Sequence, residues 1–433
     1  MDTLFAPLGD FFSAMGSMFS VVLSVWFILF PPILFFVFKV LWVPYVQGRY
    51  ASKIKWILLE IIPPRDIEKS PLPMESIFSG FAGVIKTPTT AEEWIGGEFP
   101  VSFSLEIASH EGEVHFYIRT QAGFRDLVEA QFYAHYPNVE IVEVPDYITR
   151  LPKTIPNKGW ELWGADLALT KDDLYPIKTY KYFEESVTGK MIDPLASLVE
   201  TMGKAGPGQF MWLQMITTPI KESWAKEHGQ PVVDTFLGRV KEEKMGIFAR
   251  LLLDIKDILL NLHTALLGKE VVYSTGASDE KKDEQPVEFR LTPGEKDVLK
   301  ALQSQMGKQQ FKMRMRYVYT ARRDIFSKTF GVAAFMGSMK QFADQNMNGF
   351  KPEDHSKTDA KYIFVEPRLR FRQRRIFNRY INRDADPQKT RFILSSEELA
   401  TVFHIPDMAV STPTLSRVSA KRGSAPANLP IQE

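Results

Sequence analysis

The densest run of chemically capable side chains is RLRFRQRRIFNRYINR, Arg368–Arg383. Seven arginines (Arg368, Arg370, Arg372, Arg374, Arg375, Arg379 and Arg383) are interleaved with Phe371, Phe377 and Tyr380. A guanidinium is a permanently charged planar fork that pairs with phosphate oxygens, and aromatic rings stack on unpaired bases. The tract therefore reads as a candidate nucleic-acid contact. Two plainer readings stand beside it: structural ion pairs with Glu366, Asp384, Asp386 and an acidic linker, or a protein interface. Arg314, Arg316, Arg322 and Arg323 form a second basic cluster.

Other motifs carry less. HEGEVH (His110–His115) has its histidines five apart, whereas a zinc peptidase needs four, so that both rings share one helical face. In an extended strand, positions 110 and 115 are expected on opposite faces. MGKAGPG (Met202–Gly208) lies between an expected helix and an expected strand, but a phosphate cradle needs the order strand, loop, helix N-terminus. No Gly-Lys is followed by Ser or Thr, so no P-loop is present. The acid pairs Asp172-Asp173 and Glu184-Glu185 read as solvated turns. Cysteine is absent, which removes disulfides, thiolate metal sites and a cysteine nucleophile. No catalytic residue, metal or cofactor is expected, and the reading is of a protein that is not an enzyme.

The elements that must position these residues begin with an anchor. Phe11–Phe38 is 28 residues without a charge, where about 20 suffice to cross a bilayer core. Lys39, Arg49, Lys53 and Lys55 follow it, which puts the rest of the chain in the cytoplasm. The reading is a single span in the cell membrane, kinked at Pro31-Pro32, with Trp42 and Tyr45 at the interface. A hairpin turning at the prolines is the alternative. The whole chain, 433 residues with a net charge of +1, has no bulk attraction for nucleic acid, so any such attraction is local.

The fold class expected is α+β: the transmembrane helix, a ferredoxin-like βαββαβ domain, a second and degenerate α+β unit, and a disordered C-terminal strap. The expected boundaries are 1–50 for the anchor, 51–99 for a juxtamembrane helix and connector, and 100–219 for the ferredoxin-like domain. An amphipathic helical segment follows at 220–272, with Phe248, Leu251, Ile255, Ile258 and Leu262 on one face. A polar linker occupies 273–287, the second unit 288–405 and the tail 406–433. Within 100–219, VSFSLEIAS and EVHFYIRT alternate apolar and polar residues and read as a hairpin turning at Glu111-Gly112. GFRDLVEAQFYAHY has helical spacing. NVEIVEV, WELWGADLALT, YPIKTYKYF and QFMWLQMIT read as strands, and DPLASLVETMG as a helix opened by Asp193-Pro194. Beyond the linker, TPGEKDVLKALQSQM and DIFSKTFGVAAFMGSMKQFA read as helices and QFKMRMRYVYT as a strand. Ser395 with Glu398 makes a capping box for a helix that docks Leu399, Val402 and Phe403 and stops before Pro406.

FILSSEELATVFHIPDMAVSTPTLSRVSAKRGSAPANLP (Phe392–Pro430) resembles the segment preceding the motor domain in membrane-anchored ATPases of conjugative, type IV secretion-like systems, the HerA/TraD-like translocases. LLEIIPPRD (Leu58–Asp66) and DPLASLVETMGKAGPGQFMWLQMIT (Asp193–Thr217) resemble that family's N-terminal part. In fuller members the nucleotide-binding motifs follow the strap; here the sequence ends at Glu433, so no motor residue carries over. The resemblance implies a coupling-protein-like role in DNA transfer by conjugation. The first expectation is a non-enzymatic, membrane-anchored scaffold docking a separately encoded HerA/TraD-like ATPase through Ser411, Thr412, Pro413, Leu415, Arg417, Lys421 and Arg422. The second is a membrane-anchored nucleic-acid-binding protein that guides DNA to a pore. Both leave room for a homo-oligomer.

Overall fold

The computed structural model describes residues 26–64, 70–183, 192–221, 223–237, 291–384 and 392–407. The strands are Trp56–Ile62 (β1), Phe103–His110 (β2), Glu113–Gln121 (β3), Glu140–Glu143 (β4), Trp160–Leu169 (β5), Gln209–Pro219 (β6), Gln310–Arg322 (β7), Phe350–Pro352 (β8) and Phe392–Ser395 (β9). The helices are Trp26–Ala51 (α1), Leu72–Phe81 (α2), Arg125–His135 (α3), Ala196–Gly203 (α4), Ser223–Phe236 (α5), Pro293–Met306 (α6), Phe335–Met339 (α7), Val365–Ile381 (α8) and Ser396–Val402 (α9).

Among the described residues the nine strands form one antiparallel sheet, ordered β4-β1-β3-β2-β6-β7-β5-β8, with β9 also paired to β7. This order has an internal logic. The first half runs β1-α2-β2-β3-α3-β4 along the chain and places its strands fourth, first, third, second across the sheet. The second half runs β5-α4-β6-β7-α7-β8, with α5 and α6 between β6 and β7, and places its strands second, third, first, fourth. The halves are joined edge to edge by β2 and β6, in register from Phe103↔Thr217 to His110↔Phe210.

The β-α-β-β-α-β order expected over 100–219 is therefore carried by β1 to β4, starting at Trp56. Segments 51–99, 100–219 and 288–405 all contribute strands to the same sheet. Two local expectations are corrected with it. WILLEII, expected in a juxtamembrane helix, is β1; it is buried at Ile57, Leu58, Leu59 and Ile61, so both faces of the strand are covered. YPIKTYKYF, expected as a strand, is a loop ending in the tight helical turn Tyr180–Phe183. Its backbone donors are taken elsewhere: Ile177 N–H by Glu398 (2.9 Å) and Tyr180 N–H by Thr401 (3.0 Å), both on α9.

Strand alternation sorts side chains onto two faces. Met211, Leu213 and Met215 of β6 join the larger core, beneath α2, α4, α7 and α9. Phe210 and Trp212 join a smaller core covered by α8. Glu111 and Gly112, with φ of 56° and 102°, make the two-residue hairpin expected between β2 and β3. The Ser395–Glu398 capping box is present, and Leu399, Val402 and Phe403 are buried.

Phe30–Ala51 of α1 is long and apolar enough to cross a membrane. The helix passes through Pro31, Pro32 and Pro44 without a turn, unlike the hairpin alternative; the part of the uncharged run before Trp26 lies outside the described residues. A short helical turn, Glu92–Gly96, holds α1 to the body of the molecule. There Trp94 stacks on Phe35 at 5.7 Å, sits beneath the Lys39 ammonium, and accepts the Trp42 indole N–H at its carbonyl (2.8 Å).

Candidate nucleic-acid interface

Gln373, Ile376, Phe377 and Tyr380 recur at helical spacing on α8 and are all buried, so one stripe of the arginine tract faces the sheet. Each large apolar side chain there contributes about 1.5–3 kcal/mol by leaving water. Tyr380 stacks on Trp212 at 5.4 Å, and Gln373 donates to the Leu162 carbonyl at 2.7 Å. The arginines fall around this stripe and divide into three groups.

The first group is paired with carboxylates. Arg383, buried and in a left-handed backbone conformation, bonds Glu106 through Nε (2.8 Å) and Asp146 through a terminal nitrogen (2.6 Å). Burial opposes its charge, but Glu106 and Asp146 outweigh burial and hold its pKa above the usual value. Glu106 also accepts from Ser104 Oγ (2.6 Å), the Tyr147 hydroxyl (2.7 Å) and Gln214 (3.2 Å), so its lone pairs are well used. Arg379 lies 3.9 Å from Asp166 and 4.0 Å from Asp384, and Arg370 lies 2.9 Å from Glu366.

The second group caps backbone carbonyls, which supply acceptors but no negative charge. Arg368 donates to Lys361 and Ile363, Arg372 to Lys357 and Asp359, and Arg375 to His355. Burial, then Arg379 and Arg372, lower the Arg375 pKa, as expected of a cation crowded by cations. The third group is Arg374 alone, exposed beside Phe371, which is 64% exposed. Phe371, Arg374, Arg375 and Asn378 line a shallow hollow of about 310 Å³ on the outer side of α8.

The tract is thus structural at its C-terminal end and outward-facing in its middle. The second basic cluster divides likewise. Arg314 and Arg316 are buried in β7, with Arg316 on Asp166 at 2.8 Å, so neither reaches a surface ligand. Arg322 is exposed, and Arg323 pairs with Glu161 at 3.2 Å. The docking residues Ser411, Thr412, Pro413, Leu415, Arg417, Lys421 and Arg422, and the amphipathic face from Phe248 to Leu262, lie outside the described residues.

The histidines of HEGEVH are corrected too. They stand on different strands of a two-residue hairpin and share one face, with ring centroids 5.2 Å apart. One nitrogen of each is engaged: Trp212 Nε1 donates to His110 Nδ1 at 3.3 Å, and His115 Nδ1 lies 2.6 Å from Glu60. Among the described residues no three His, Asp or Glu side chains gather as a metal site.

Sequence reasoning missed the acceptors. Glu106, Asp166 and Gln214 pair with the arginines from the middle of apolar strands. A charged residue at an interior strand position, as in FSLEIAS and WGADLAL, was the available signal, because such a group is buried only when paired.

A family profile described as a domain of unknown function, DUF8128, matches residues 89–418. The chain belongs to the DUF8128 family. The match takes in β2 to β9 and all of α8, whereas α1, β1 and α2 precede it. No curated protein matches this DUF8128 chain.

Proposed function

We propose that this DUF8128 protein is a non-enzymatic, single-pass membrane protein whose α8 surface guides DNA by its phosphate backbone. The observation that carries the proposal is the middle of α8. Arg368, Arg372 and Arg375 spend their donors on carbonyls and keep their charge, while Arg374 and Phe371 face solvent next to them. A local positive surface with an exposed ring suits backbone contact without base selectivity. The sequence resemblance to the anchored part of HerA/TraD-like translocases supplies the DNA-transfer context. Each half of the sheet is read here as a ferredoxin-like unit, a reading supported by the strand order four-one-three-two and its reverse. Docking of a separate motor ATPase through 411–422 is the companion proposal and rests on the sequence alone.

The test uses the full chain in an uncharged detergent, with fluorescent single- and double-stranded DNA at rising salt. Binding is expected for unrelated sequences alike and should weaken with salt. Replacing Arg368, Arg374 and Arg375 by Gln should flatten the salt dependence, by up to about 0.9 log units for each duplex phosphate that is no longer neutralised. Arg374→Gln alone should do so in part and leave stability within about 0.5 kcal/mol. Arg383→Gln should instead cost about 3–5 kcal/mol, because it leaves Glu106 buried without its cation. Salt-independent binding, or none, would refute the proposal.

A further inference from the structure

Arg119 of β3 stands apart from the arginines described above. Its guanidinium carbon lies 4.2 Å from the centroid of the Trp56 ring, within cation–π distance. Among the described residues it has no ion pair with a carboxylate, whereas the nearby Arg383 is held by Glu106 and Asp146. Burial, then Arg383, lowers the Arg119 pKa to about 10, which leaves it a cation at neutral pH. Glu106 and Asp146 act on it only from beyond ion-pair distance, so an anion in direct contact would stabilise this part-buried cation further.

The room for that anion is present. Arg119 and Trp56 line a pocket of about 450 Å³, open to solvent on one side. Ser102, Asn382 and Gln47 present neutral hydrogen-bonding groups in the same pocket, Glu93 and Asp384 add carboxylates, and Arg383, already paired with Glu106 and Asp146, is the second guanidinium in the wall. One wall is Gln47, Gly48 and Ala51, the last residues of the apolar helix that ends at Ala51. The cavity therefore sits where α1 meets the sheet.

We infer that this pocket binds a phosphate-bearing headgroup, with the phosphate on Arg119 and hydroxyl or ammonium groups on Glu93 and Asp384. The mixed lining decides the class. A bare polyanion would meet two carboxylates, whereas a phosphate ester that also carries hydroxyl or amine groups satisfies both signs of charge. Such a ligand comes either from a phospholipid or from a soluble glycerophosphate. The inference is independent of DNA binding, and only its lipid source rests on α1 crossing a bilayer.

Thermal unfolding of the full chain in an uncharged detergent tests it, because a ligand that binds only the folded state raises Tm with its concentration. The probes are dihexanoyl phosphatidylglycerol, dihexanoyl phosphatidylethanolamine, sn-glycerol 3-phosphate and a dihexanoyl glycerol without phosphate. A rise in Tm is expected with the phosphate-bearing probes and none with the phosphate-free one. Stabilisation by the two lipids alone assigns the source to the membrane, and equal stabilisation by glycerol phosphate assigns it to a soluble ligand. Arg119→Gln should abolish the rise, and Arg119→Lys should reduce it, keeping charge but losing the guanidinium fork. Ser102→Phe, which fills the pocket and leaves Arg119 in place, should abolish it too and covers the case in which Arg119→Gln does not fold. No phosphate-dependent rise, or an undiminished rise in Ser102→Phe, would overturn the inference.

Discussion

His110 faces the smaller core, where its Nδ1 accepts the Trp212 N–H and its ring lies 5.2 Å from that of Tyr147. Burial, then the neighbouring His115, pulls its pKa down to about 2. An unfolded histidine titrates near 6.5, so below that pH the unfolded chain takes up a proton that the folded chain refuses. His110 thus contributes stability that is present above about pH 6.5 and is lost as pH falls toward 2. Between pH 7 and pH 5 the loss comes to about 2 kcal/mol. Glu398 has the opposite sign, since burial pushes its pKa up to about 7 and its contribution fades as pH rises toward that value. The measurement must therefore be a difference. Urea unfolding of the wild type and of His110→Gln at both pH values should show a loss on acidification about 2 kcal/mol smaller in the variant. Equal losses would mean that His110 does not stay neutral in the fold.

The β2–β3 hairpin shows what an element asks of a single position. Gly112 has φ of 102°, and a Cβ there would lie 2.5 Å from the Ala205 carbonyl oxygen, which is backbone and gives little. Gly112→Ala should cost about 1–3 kcal/mol in strain alone. Gly123, in the short turn Ala122–Phe124, meets nothing within 4 Å and has no positive φ. Gly123→Ala should be neutral or stabilising by up to about 1 kcal/mol, through the lowered entropy of the unfolded chain. Similar losses in both would contradict the turn geometry. This hairpin was legible in the sequence because alternation, Glu-Gly and strand length agree within a short stretch of chain. The capping box of α9 was legible for the same reason. β1 was not, because WILLEII is apolar on both faces and carries no period. The loop at 175–183 was not, because its donors are satisfied by α9, more than two hundred residues away. The arginine tract was legible as chemistry and half legible as structure. The buried stripe Gln373, Ile376, Phe377 and Tyr380 has plain helical spacing, yet which arginine meets Glu106 depends on a contact spanning 277 residues.

Over the whole molecule, one face of the sheet is a thick apolar core and the other is a thin core threaded with charges, crossed by α8 and reached by the foot of α1. A chain of net charge +1 keeps its positive surface local, so the orientation of α8 relative to the membrane matters more than the total charge. That orientation follows from α1. Phe30, Phe35, Phe36 and Leu41 along it are each more than half exposed, an arrangement that water does not favour and a bilayer does. Under the proposed single span, Lys39 and Arg49 on the same helix, followed by Lys53 and Lys55, place the C-terminal side inward. The absence of native cysteine makes the test clean, because each introduced thiol is unique. The protein should remain with the membrane in carbonate. In intact cells, Asp2→Cys should react with a membrane-impermeant maleimide, and Arg374→Cys should react only after the membrane is opened. The reverse labelling would put α8 outside the cell and end the DNA-guiding proposal. Release into the carbonate supernatant would instead make α1 a surface-bound helix, and would remove the lipid source proposed for the Arg119 pocket while leaving a soluble phosphate ligand to be tested there.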